Sequence, residues 1–215
     1  MTLSHLMNLF KKMNLEKGYL YHIYNQGNNQ RQIFFNRDNY IYFLKKIKTY
    51  ITPYADILAW CLMPNHFHLM VLVNEEDLLL NEIDTMTSSH RINNKTRSIN
   101  NSIAIMLRSY TRAINKQKGT SGSLFKAHTK AECLNCPNGV TPNFFIEKGV
   151  TSINIQNSEI QYPQVCFNYI HQNPVKANLV STEADYEFSS ARDYAGTRDG
   201  KFINKKAAFE YVNFN

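Results

Sequence analysis

The chain has 215 residues, 43% of them hydrophobic, and a formal net charge of +7, which is enough apolar material for one main domain with a buried core. The charge, with a pI near 9.2, favours an anionic partner such as nucleic acid. Polar residues interrupt Met1 to Asn14, so the continuous apolar run of a secretory signal is missing. No segment approaches a transmembrane length, and a cytoplasmic, reduced protein with no membrane partner is expected.

In chain order, Gly18 to Asn25 is aromatic and β-branched and reads as a strand that ends at the turn Gln26-Gly27-Asn28-Asn29. Asp38 offers an N-cap for a helix whose apolar residues fall at Tyr40, Phe43, Leu44, Ile47 and Ile51. Ile57 to Leu62 reads as a strand, Pro64-Asn65 as a turn, and His66 to Val73 as the antiparallel partner. Asp84 to Ser102 is polar and aperiodic, a connection. A second helix runs from Ile103, with Met106, Leu107, Tyr110 and Ile114 on one face, and stops at Gly119. Ser123 to Glu132 reads as a further strand, and Leu134 to Gln161 as an inserted arm. Pro163 suits the first position of a third helix, carrying Val165, Cys166, Tyr169 and Ile170, which should end before Pro174. Val175 to Asn215 is a mixed stretch with aromatic anchors. The order β-α-β-β-α-β-α predicts an α+β fold, a ferredoxin-like antiparallel sheet with helices on one face and the His66–Val73 strand central. The expected division is an extension over 1–17, a domain over 18–196 with an arm at about 133–161, and a tail over 197–215.

The strand Met63-Pro64-Asn65-His66-Phe67-His68-Leu69 is the most informative stretch. Strand side chains alternate faces, so His66 and His68 point the same way, roughly 7 Å apart by strand rise. Two imidazoles on one face converge on a single cation, or else are half-exposed side chains of a hairpin. Because both are expected to face a polar cleft, removing either should leave folding almost unchanged. Tyr169 and Asn173 lie four apart on the third helix and share a face. A phenol (ordinary pKa about 10) becomes a nucleophile when its surroundings remove the proton, and a carboxamide oxygen suits hard cations such as Mg²⁺ and Mn²⁺. Otherwise Tyr169 is a core or rim aromatic.

Arg108, Arg112 and Lys116 recur every four residues on the second helix. They form a basic stripe suited to phosphates, or a solvated face. Lys126, Lys130 and Lys176 are further candidates for DNA contact. Cys133 and Cys136 form a C-x-x-C pair downstream of His128, with Cys61 and Cys166 apart. Loop thiols are the expectation; a structural zinc site would need Cys166 and His171 brought close. The zinc nucleobase deaminases pair such cysteines with His-x-Glu, and His-Phe-His lacks that glutamate.

Five stretches together resemble the REP-associated branch of the single-tyrosine HUH transposases. They are Tyr21-His22-Ile23-Tyr24-Asn25-Gln26-Gly27-Asn28-Asn29 leading to Gln32-Ile33-Phe34, the His66-Phe67-His68 segment, Tyr110 through Gly122 into Ser123-Leu124-Phe125, Tyr169-Ile170-His171-Gln172-Asn173-Pro174-Val175-Lys176-Ala177, and Asp185-Tyr186-Glu187-Phe188-Ser189-Ser190. The resemblance implies that His66 and His68 are paired metal ligands, Tyr169 the nucleophile, and Asn173 the third ligand where the wider superfamily has glutamine. It implies a Mg²⁺- or Mn²⁺-dependent DNA transposase that cleaves and rejoins single-stranded DNA beside hairpins or palindromic repeats through a 5′-phosphotyrosine. A non-catalytic hairpin-DNA-binding regulator with the same fold is the alternative, and an HUH replication initiator or relaxase a third. Lys126-Ala127-His128 departs from the family's Gly-Arg after Leu-Phe, and the arm is longer than in relatives. A monomer with the site in one subunit is expected over a homodimer that shares it.

Overall fold

The computed structural model describes residues 15–79, 96–136 and 158–213. In chain order these form β1 (Leu20–Gln26), α1 (Arg37–Tyr50), β2 (Ala55–Met63), β3 (His66–Val73), β4 (Asp77–Leu79), β5 (Thr96–Ser98), α2 (Ile99–Lys118), β6 (Lys130–Cys133), α3 (Ser158–Lys176), α4 (Ala191–Tyr194) and α5 (Lys205–Ala208). Four strands make one antiparallel sheet in the order β2-β3-β1-β6, and β4 pairs with β5 apart from it. The fold is α+β, and β1-α1-β2-β3-α2-β6 follows the ferredoxin-like split βαβ pattern with β3 central.

Each face of the sheet buries its own core. Ile23 of β1 and Phe67, Leu69 and Val71 of β3 face Phe43 and Ile47 of α1 and Met106, Tyr110 and Ile114 of α2. The Tyr110 hydroxyl, fully buried, donates to the Ile33 carbonyl at 2.8 Å, so its desolvation is offset. The second core joins Leu20, Ala59, Cys61 and Met70 of the sheet to Tyr162, Cys166, Phe167 and Ile170 of α3. The βαββαβ unit therefore carries α1 and α2 on one face, and the tyrosine-bearing helix lies across the other. A bulge between Ile57 and Ala59 inserts Leu58; the extra residue lets Ile57 and Trp60 both face the first core. Residues 188–190 shield the β2 edge, through Leu62 N–H to the Phe188 carbonyl and Ser190 N–H to the Trp60 carbonyl, each at 2.9 Å. Ala207, Ala208 and Val212 are buried in the second core.

Local corrections to the sequence reading have identifiable causes. Asn36, not Asp38, caps α1, its side chain accepting from Asn39 N–H, and Asp38 falls in the first turn where its charge suits the helix dipole. α2 begins at Ile99, four residues before Ile103, capped by Ser98. Ser102 within this turn is fully buried, its hydroxyl donating to the Tyr50 carbonyl at 2.7 Å, so a polar residue sits where the periodicity expects an apolar one. Of Ser123 to Glu132 only Lys130 onward is regular strand, and Phe125 makes a single bridge to Gly27. Asn25 bends the intervening loop, its amide donating to the Thr129 hydroxyl at 2.9 Å and the Lys126 carbonyl at 3.2 Å.

α3 contains both Pro163 and Pro174. Each removes a backbone donor and strains the preceding turn, but both rings are buried, and the apolar face around them holds the helix together. It ends at Lys176, and Asn178 just beyond has φ of 55°, the left-handed conformation that asparagine tolerates. Residues 137–157 of the expected arm lie outside the described residues. Cys133 and Cys136 are joined as a disulfide, in place of the expected free thiols or zinc ligands, and Cys61 and Cys166 are buried separately. Among the described residues no helix is long and apolar enough to cross a membrane.

Candidate active site

The pairing register decides what surrounds the two histidines. Across β1, His68 lies opposite Tyr24, His66 opposite Gln26, and Met70 opposite His22; across β6, Tyr24 lies opposite Lys130 and His22 opposite Glu132. By alternation these side chains share the face that α3 covers. The rings of His66 and His68 approach to 4.9 Å between centroids at 83°, closer than strand rise alone predicts, because the rings lean toward each other. α3 then places Tyr169 5.4 Å from His68, ring centroid to centroid, edge-on at 82°. Asn173 follows one turn later, within hydrogen-bonding reach of His66, with its amide N–H₂ donating to the Tyr169 carbonyl at 2.8 Å. His66, His68, Tyr169 and Asn173 line one cleft of about 370 Å³, together with Tyr24, Lys126, His128 and Lys130. The structure thus brings together all four residues singled out around the metal and the nucleophile.

The hydrogen bonds around the histidines orient their nitrogens. Asn65 donates from Nδ2 to the Gln30 carbonyl at 3.3 Å, which turns its Oδ1 toward His66 Nδ1 at 2.6 Å. An amide oxygen only accepts, so His66 carries its proton on Nδ1 and its Nε2 lone pair is left for a ligand. His68 Nδ1 lies 2.8 Å from His22 Nε2, and His68 Nε2 is buried with no hydrogen-bond partner among the described residues. Burial pushes both His66 and His68 below the ordinary imidazole range, with the neighbouring His22 and His66 adding to the effect at His68. Burial also holds His22 low, at about 3. Neutral imidazoles are the form that binds metals. The expectation that both histidines merely face a polar cleft needs correction: His68 is 4% exposed, and its ring belongs as much to the interior as to the site.

These donors fit a divalent cation. Two imidazoles and a carboxamide oxygen carry no charge, so such a set would bind weakly alone and leave coordination positions open. No group of three or more His, Cys, Asp or Glu side chains able to hold a metal occurs among the described residues; the cleft offers carboxamide oxygens from Asn173, Asn25 and Gln26 beside the two histidines.

The basic candidates divide. Arg108, Arg112 and Lys116 are all exposed on α2. Arg108 and Arg112 line a second cleft of about 410 Å³ with Thr111, Phe125 and Lys126, and Lys116 does not border it. Asn25 and Lys126 line both clefts, which therefore meet. Lys130 stands at the first cleft, and Lys176 Nζ lies 5.7 Å above the Tyr169 ring. A larger groove of about 1060 Å³ runs along Phe167, Asn168, His171 and Lys176 of α3, and neither His66 nor His68 lines it.

Sequence reasoning missed His22, Tyr24, Asn65 and Glu132. Tyr24 donates its hydroxyl to Glu132 at 2.7 Å, and its ring lies 4.7 Å from that of His22. Desolvation raises the Glu132 carboxyl, opposed by the Tyr24 hydrogen bond and by Lys130. The signal was present, since His22 and Tyr24 share a face of their own strand, but which strand they lie beside depends on pairing across distant segments.

No protein-family model matches the chain, and no curated protein matches it. Among solved structures, it is similar to a REP-associated tyrosine transposase bound to a REP hairpin, at 16% sequence identity over 86% of this chain and 84% of that one, with a TM-score of 0.48.

Proposed function

We propose that this chain is a metal-dependent strand transferase acting on single-stranded DNA beside hairpins, with Tyr169 as its nucleophile. The observation that carries the reading is the convergence of Tyr169 on the paired histidines, 5.4 Å from His68, in a cleft rimmed by Lys126 and Lys130. His66, His68 and Asn173 would hold Mg²⁺ or Mn²⁺, whose chemistry when bound is Lewis-acid stabilisation of charge on a non-bridging phosphate oxygen. The Tyr169 hydroxyl oxygen forms a bond to phosphorus as the bond to the 3′ oxygen breaks. The phenolic proton is transferred, in net terms, to the released 3′-OH. The phosphotyrosine link conserves the bond, so rejoining runs by the reverse step without a nucleotide cofactor. Lys176, with its Nζ 5.7 Å above the tyrosine ring, supplies a positive charge beside the site for the incoming phosphate. The strand would continue from the active cleft past Lys126 into the second cleft, where Arg108 and Arg112 stand for its backbone phosphates.

Incubation with a labelled single strand carrying a hairpin, with Mg²⁺ or Mn²⁺, is expected to give a denaturation-resistant protein–DNA adduct that is lost in Tyr169→Phe. An adduct that persists in the variant overturns the assignment of the nucleophile. Hairpin binding with no adduct under either metal would instead make the chain a DNA-binding regulator on a strand-transferase fold.

A further inference from the structure

We propose that His22 is a positioning residue that holds His68 as the Nδ1-protonated tautomer and so turns the Nε2 lone pair of His68 into the active cleft. The inference rests on the functional reading above, in which the Nε2 lone pair of His68 binds the metal. His22 is fully buried, and its Nε2 lies 2.8 Å from His68 Nδ1. The two rings are 18° from coplanar with centroids 5.0 Å apart, the separation of an in-plane N–H···N bond between imidazoles. One proton occupies that bond, and it belongs to either ring. If His22 donated, the remaining proton of His68 would sit on Nε2 at the wall of the cleft, and no lone pair would be left there for a cation. With His68 donating, Nε2 is instead a lone pair that a cation can satisfy, the second-shell arrangement that fixes a ligand's tautomer and orientation.

What holds His22 in turn is visible on the sheet. Tyr24 lies against its ring at 4.7 Å, and the Tyr24 hydroxyl is anchored to Glu132 at 2.7 Å. Glu132 faces His22 across the β1–β6 pairing. His66 shows the same device in simpler form, with Asn65 in the role of His22. Each histidine of the pair thus has its Nδ1 occupied by a partner outside the cleft.

The tautomer can be read without DNA and without metal, by long-range ¹H–¹⁵N correlation spectra of histidine-labelled protein. His68 is expected to show a protonated Nδ1 and an unprotonated Nε2. His22→Gln, whose side-chain oxygen still accepts, should preserve that state. His22→Leu should lose it and weaken Mn²⁺ binding, followed by paramagnetic resonance, by roughly 10–100-fold. A wild-type His68 protonated on Nε2 overturns the proposal, even if no His22 variant folds. Unchanged tautomer and Mn²⁺ affinity in His22→Leu overturn it as well. The expected tautomer in a protein that forms no DNA adduct would support the positioning role and reject the strand-transfer reading, so the two can fail separately.

Discussion

Removing the two cleft histidines one at a time should destabilise the protein unequally. His68 is 4% exposed and hydrogen-bonded to a fully buried imidazole at 2.8 Å. His68→Ala therefore removes the packed ring and also strips His22 of that partner. An abandoned buried polar group costs about 1–3 kcal/mol, and the space left by the ring adds to it, for a total of about 3 kcal/mol. His66 is only partly buried, and its partner Asn65 sits in a turn that water can reach. His66→Ala should cost about 1 kcal/mol. For a chain of this size each kcal/mol lowers the thermal midpoint by about 2–4 °C, so the expected shifts are about 6–12 °C for His68→Ala and about 2–4 °C for His66→Ala. Calorimetry at neutral pH without divalent metal reads both shifts, and adduct formation, measured well below either midpoint, should be lost in both. Equal shifts, or an unshifted midpoint for His68→Ala, would refute the view that His68 is tied into the interior through His22.

Other outcomes follow from the same geometry. Arg108→Gln with Arg112→Gln should lower the salt slope of hairpin binding by about 1.4, at ~0.7 per phosphate contact on a single strand. Lys116→Gln should leave the slope unchanged, and equal effects at all three positions would mean that the stripe acts only as a diffuse charge. His171, buried against Phe167 and Tyr194 and 2.7 Å from the Ser190 hydroxyl, is held down to about 3 by burial, against 6.5 for an ordinary imidazole. Its stabilising effect is complete above 6.5 and is lost as pH falls from there toward 3, because the unfolded chain takes up the proton first. Between pH 6 and 4 the stability of His171→Gln should fall less steeply, by about 1.4 kcal/mol per pH unit; parallel profiles would contradict this. Finally, Tyr169 meets His68 of its own chain, so mixing His68→Ala with Tyr169→Phe protein should not restore cleavage, and restoration would show a site shared between subunits.

Much of this architecture is readable along the chain because it depends on local chemistry. Alternation in His66 to Val73 places the two imidazoles on one face, and the four-residue spacing of Tyr169 and Asn173 places them on one side of a helix, whatever the rest of the molecule does. Gly119 stops α2 where the sequence suggests, with φ of 64°, a conformation glycine adopts without strain. Failures cluster where a distant partner outweighs a local preference. Pro174 does not end α3, since burial against the sheet sustains the helix past it, and Ser102 belongs to a helix because the Tyr50 carbonyl satisfies its hydroxyl. The distance from Tyr169 to His68 spans about a hundred residues of chain and is set by Cys166 and Ile170 packing on the sheet. The partnership of His22 with His68 lay furthest from view. Nothing in either segment names the other, and only the antiparallel register of β1 on β3 brings their ring edges within a hydrogen bond.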